Sequence, residues 1–71
     1  MFYRLVRIDS QTREPVQVAA WHAQDDLDAI PSAALLADEE RQVGGDRGGY
    51  VLERRADKGW EPVHAVGGVS N

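Results

Sequence analysis

The sequence predicts an α+β domain of order β-β-α-β-β: a four-stranded antiparallel sheet with one helix packed on one face. Three observations lead there. Two pairs of short segments rich in branched and aromatic residues, Phe2–Ile8 with Val16–His22 and Tyr50–Arg55 with Trp60–Val66, are each joined by a polar turn. Between the pairs lies a stretch whose apolar residues recur at helical spacing. The 71 residues, 42% of them apolar, suffice for one thin core and leave no room for a second domain.

Phe2 to Ile8 lacks glycine and proline and suits a pleated surface. Phe2, Arg4, Val6 and Ile8 share one of its faces and Tyr3, Leu5 and Arg7 the other, so apolar and basic residues occur on both and the core face stays open. In DSQTREP, Asp9, Ser10 and Thr12 can bond local backbone and Pro15 fixes φ, which reads as a hairpin loop. Val16 to His22 then alternates, with Val16, Val18 and Ala20 opposite Gln17, Ala19 and Trp21, and should pair antiparallel with the first strand.

In AQDDLDAIPSAALLADEERQVGG the helical period is carried by Leu27, Ile30, Ala34 and Ala37 or Val43, flanked by Ala33 and Leu36. Asp25, Asp26 and Asp28 favour the positive end of the helix dipole, and Gly44–Gly45 offers a left-handed cap at the other end. Pro31 lacks the N–H an interior helical residue donates, so a kink or restart is expected there, with a first turn over Asp25–Ile30 and a main helix from Pro31.

GGDRGG reads as a turn, and ADKG closes the second hairpin with Gly59 at positive φ. Pro62 belongs on an edge strand because it cannot donate to a ladder. Residues 1–66 form the domain and 67–71 a frayed tail. A single helix covers one sheet face only, leaving the other to solvent, a partner or a second copy.

The net charge of −4 is unevenly placed. Gln24 to Glu40 holds six acidic residues and no basic one, while the rest holds eight basic and six acidic, so the segment carries −6 against +2 elsewhere. With no cysteine, a disulfide framework, a thiolate zinc site and a thiol nucleophile are all excluded. Arg4 and Arg7 interrupt the N-terminal segment, which lacks the apolar run of a signal peptide, and no stretch approaches the ~20 residues of a membrane span. A soluble, cytoplasmic chain without a membrane partner is the expectation.

Chemistry finds no constellation. His22 and His64 fit no metal-ligand spacing, and adjacent carboxylates on a helix point apart. GGDRGG follows a helix and precedes a strand, the reverse of a phosphate-binding loop, and Ser10, Ser32 and Ser70 sit in no nucleophile context. No catalytic, metal or cofactor residue is expected, and the chain reads as a binding protein.

Asp25, Asp26, Asp28, Asp38, Glu39 and Glu40 form the leading candidate surface, an acidic helix suited to a basic, nucleic-acid-binding face of a protein partner. A plain solvated helix is the ordinary alternative. A second candidate is an open sheet face with Tyr3, Arg4, Arg7, Tyr50, Arg54, Arg55 and Trp60 stacking bases and contacting phosphates. A third reading is a structural homodimer. The acidic cysteine-free chain, its opening FYRLVRI strand and the passage VQVAAWHAQDDLDAIPSAALLADEE resemble, in plan and composition, the anti-CRISPR proteins of phages and mobile elements. That resemblance implies a non-enzymatic inhibitor that binds a CRISPR effector complex and blocks target-DNA recognition or nuclease recruitment.

Overall fold

The computed structural model describes residues 1–9, 11–44 and 49–66. Four strands and one helix follow in the expected order: β1 (Phe2–Ile8), β2 (Pro15–His22), α1 (Asp26–Gly44), β3 (Tyr50–Ala56) and β4 (Gly59–Val66). The strands make one antiparallel sheet, β2-β1-β3-β4, so the two hairpins lie side by side with β1 and β3 at the centre. Pro62 accordingly sits on an edge strand. Ser10, the anticipated cap at Gly45, the turn through 45–48 and the tail 67–71 lie outside the described residues. Among the described residues no helix is long and apolar enough to cross a membrane.

Local chemistry explains both hairpins. The Asp9 carboxylate accepts from the backbone N–H groups of Gln11 (2.7 Å) and Thr12 (3.1 Å), and the Arg13 N–H closes onto the Asp9 carbonyl at 2.8 Å. These donors stabilise a turn in which Arg13 itself takes a φ of 65°. In the second hairpin Gly59 pairs with Ala56 at a φ of 131°, with nothing within 4 Å of where a Cβ would stand. The constraint at Gly59 is therefore conformational, not steric crowding.

The alternation expected for the second strand is corrected by a β-bulge. Leu5 pairs with Ala19 but Val6 with Gln17, which leaves Val18 as the extra residue. Val18 and Trp21 therefore both pack against the core, while Ala20 is exposed. β4 carries a similar irregularity at Val63, between the pairs Leu52–His64 and Glu53–Pro62, and Val63 too packs against the core.

The core is a layer of large sheet residues under small helix residues. Tyr3 and Leu5 of β1, Tyr50 and Leu52 of β3 and Val66 of β4 are buried beneath Ala29, Ala33 and Ala37. This settles the face left open for β1: its Tyr3/Leu5 side meets the helix. The three alanines recur at i, i+4 and i+8 and form one ridge, which lets the helix backbone lie close to two tyrosines. On the opposite face Val6 is only 1% exposed, although it lies outside the main core; it sits on a central strand, with Gln17 and Val51 as its cross-strand neighbours.

Two expectations for the helix are revised. The buried stripe is Ala29/Ala33/Ala37 with Ile30 and Leu36 at its margins, whereas Leu27 (80% exposed) and Ala34 face solvent. Small residues win the buried positions because the facing sheet already supplies the bulk. The helix also runs as one element through Pro31 without a restart. Pro31 is exposed, and the carbonyl it leaves without an N–H donor belongs to the solvent-facing Leu27, where water can serve it.

Candidate functional site

The acidic helix begins with a reciprocal cap. The Asp28 N–H donates to Asp25 Oδ1 at 2.9 Å, Asp28 Oδ2 accepts from the Gln24 N–H at 3.1 Å, and the Ala29 N–H donates to the Asp25 carbonyl at 3.0 Å. Asp25 and Asp28 thus satisfy helix-start donors while their carboxylates remain exposed and complement the dipole.

Asp26 turns the other way, onto the sheet. It accepts from the Tyr3 hydroxyl at 2.7 Å and from Arg54 Nη1 at 2.9 and 3.1 Å, and Arg54 Nη2 continues to Glu61 at 2.8 Å. Burial, reinforced by the Asp26 hydrogen bond, pushes the Tyr3 phenol up to about 12. The same hydrogen bond, with the Arg54 guanidinium behind it, holds the Asp26 carboxyl below its ordinary range. At the far end Glu40 receives Arg7 Nη1 at 3.3 Å. Asp26 and Glu40 therefore pin the two ends of the helix to arginines of β3 and β1.

Asp38 and Glu39 stay outside. Asp38, with its side chain 66% exposed, is 3.7 Å from Arg41, a loose contact one turn along, while the Arg41 guanidinium sits 5.9 Å from the Tyr50 ring. Glu39 is exposed and makes no ion pair among the described residues. Of the six predicted acids, two face the sheet and four (Asp25, Asp28, Asp38 and Glu39) face solvent in a pair at each end of the helix.

Alongside those pairs runs a feature that the helical period read from the sequence did not identify. Leu27, Pro31 and Leu35 are all exposed, Leu35 to 61%, and recur at i, i+4 and i+8 as a ridge on the outer surface. Its counterpart Ala29/Ala33/Ala37 has the same spacing in the sequence, and that duplicate periodicity was the signal available. Beside Leu27 a shallow hollow of about 290 Å³ is bounded by Met1, Asp25, Asp26, Leu27 and Arg54.

The seven residues of the alternative nucleic-acid face do not share one surface. Tyr3 and Tyr50 are buried under the helix, and Arg7 and Arg54 are committed to Glu40 and Asp26 on that same side. Arg4, Arg55 and Trp60 do gather on the open face, joined by Phe2 and His22, which sequence reasoning left out. Phe2 lies 4.8 Å from the His22 ring and 5.8 Å from Trp60, with the Arg4 and Arg55 guanidinia 4.5 and 5.7 Å from the Trp60 ring. Arg4 is also bonded to Glu53 at 2.7 Å. The Trp60 surface is thus already occupied by the protein's own cations. His22 and His64 lie on the two opposite edge strands and do not meet.

No family model matches this sequence, and no curated protein or solved structure matches it significantly.

Proposed function

We propose that this chain is a non-enzymatic, cytoplasmic protein-binding module that docks the outer face of its helix on a basic surface of a partner. The observation that carries this reading is the sorting of the six acids. Asp26 and Glu40 hold the fold together, while Asp25, Asp28, Asp38 and Glu39 are exposed and, apart from the loose Asp38–Arg41 contact, make no ion pair among the described residues. Unneutralised charge of one sign raises encounter rates with a complementary surface and disfavours nucleic acid itself. An inhibitor that occupies the nucleic-acid channel of an effector complex, as in the anti-CRISPR resemblance, is its most concrete form.

The test compares the wild-type chain with Asp25→Lys/Asp28→Lys and with Asp38→Lys/Glu39→Lys for recovery of partners from host lysate across a salt series. A specific partner is lost from both variants and is released from wild type by rising salt. Retention that ignores both changes rules the reading out. Titration with single-stranded DNA and RNA at low salt tests the open-face alternative, which requires a steep salt dependence. Light scattering over a dilution series tests a homodimer.

A further inference from the structure

The outer helix face offers more than charge. Leu35 lies eight positions beyond Leu27, so the apolar ridge is about 12 Å long; Asp25 precedes it and Asp38 follows it, about 20 Å apart along the axis, while Asp28 lies beside its first residue. Pro31 sits at its middle and gives no N–H to the Leu27 carbonyl, which leaves an acceptor on the exposed side. The hollow beside Leu27 has Met1 and Leu27 as apolar walls and Asp25 at its rim; its other carboxylate, Asp26, is already engaged by Arg54.

Resting on the function proposed above, the geometry points to a partner of defined shape. It is a protein surface, most simply an amphipathic helix, with an apolar centre that covers Leu27, Pro31 and Leu35 and a basic cluster at either end. One cluster reaches Asp25 and Asp28; the other reaches Asp38 and Glu39. Charge complementarity selects this occupant. A lipid surface with anionic headgroups is repelled by the four carboxylates, and a second copy presenting the same helix would bring acid against acid. The leucines give the interface its desolvated centre and the carboxylates its rim, the division of labour usual for protein docking sites.

The probe is a stapled helical peptide with lysine pairs about ten residues apart and leucines between them on one face, read by fluorescence anisotropy. Its control has the same charge with every leucine replaced by glutamine. The leucine peptide should bind at least about tenfold more tightly than the control, the gain from burying a few apolar side chains. Leu27→Gln/Leu35→Gln should abolish that difference while the weak, salt-sensitive binding of both peptides persists, and Asp38→Lys/Glu39→Lys should weaken both.

Equal binding of the two peptides, with no response to Leu27→Gln/Leu35→Gln but loss on charge reversal, overturns the apolar centre and leaves the electrostatic reading standing. Indifference to charge reversal as well removes both. A wild-type mass that rises with concentration, and stays monomeric in Leu27→Gln/Leu35→Gln, assigns the ridge to self-contact and overturns the proposal. Both leucines are exposed, so the double variant keeps its core, which unchanged far-UV circular dichroism verifies.

Discussion

The two long faces of α1 have the same periodicity and opposite character. Inward, Ala29, Ala33 and Ala37 are fully buried and the acids beside them, Asp26 and Glu40, are bonded to arginines of the sheet. Outward, Leu27 and Leu35 stand in solvent beside acids that the sheet does not reach. A soluble helix that served only to cap its own sheet would place the larger apolar residues inside. Here the sheet supplies the volume through Tyr3, Tyr50, Leu5 and Leu52, which frees the leucines from packing duty. Which face of a helix is buried thus depends on the shape of what lies opposite, not on a ranking of its residues by hydrophobicity.

The largest test of that contrast adds the same side chain on either side of the helix. Ala33→Leu must force bulk between the helix and the two tyrosines and should cost about 1–3 kcal/mol. Ala34→Leu, one position on and exposed, should change stability by less than about 0.5 kcal/mol. Urea unfolding measures both, and equal effects would dissolve the distinction between the faces. Next in size is Pro31→Ala, which restores an N–H for the Leu27 carbonyl. It should raise stability by about 1–2 kcal/mol, less than the ~3 kcal/mol of a buried helical proline because the exposed position lets water serve that carbonyl.

Much of this architecture was legible from local pattern. The strand segments, the Gly59 turn, the edge position of Pro62 and the acidic helix start each follow from a few neighbouring residues. The bulge at Val18 was not, because alternation cannot show where a ladder inserts one residue. Nor was the rotation of the helix: Leu27, Ile30 and Ala34 make as good a helical stripe as Ala29, Ala33 and Ala37, and only the tyrosines opposite decide between them. The charge segregation was visible, but its division was not. Asp26 meets Tyr3 and Arg54 across 23 and 28 residues of sequence, and Arg7 meets Glu40 across 33. Such pairings depend on topology, so six acids that look alike along the chain fall into two classes in space.

The sheet-facing Asp26 should leave a signature in pH. Asp26 has its carboxyl lowered in the fold by Tyr3 and Arg54, so the unfolded chain binds the proton more readily. The stability it contributes is present above the ordinary carboxylate range of about 4 and is lost as pH falls through the depressed value. Asp26→Asn should therefore flatten the acid limb of a melting-temperature profile. Part of the limb should survive, because the Gln11 and Thr12 backbone N–H groups also lower Asp9. At the alkaline end the signs reverse. Tyr3 ionises at about 12 in the fold against about 10 in the unfolded chain, so its contribution is complete below 10 and fades between the two values. Tyr3→Phe should remove that alkaline dependence and lower stability at neutral pH by deleting the bond to Asp26.

The smallest expected effect tests the outer face most directly. Leu27→Gln/Leu35→Gln exchanges two exposed leucines for residues of nearly equal helix propensity, so neither packing nor backbone preference should change. Thermal stability should stay within about 0.5 kcal/mol of wild type. A loss several times larger would mean that the ridge supports the sheet in some way its exposure does not reveal, and the division into a structural inner face and a free outer face would fail. An unchanged melting temperature with improved solubility at high concentration would sharpen the division, since exposed leucines in register are a liability that a solitary domain has no reason to keep.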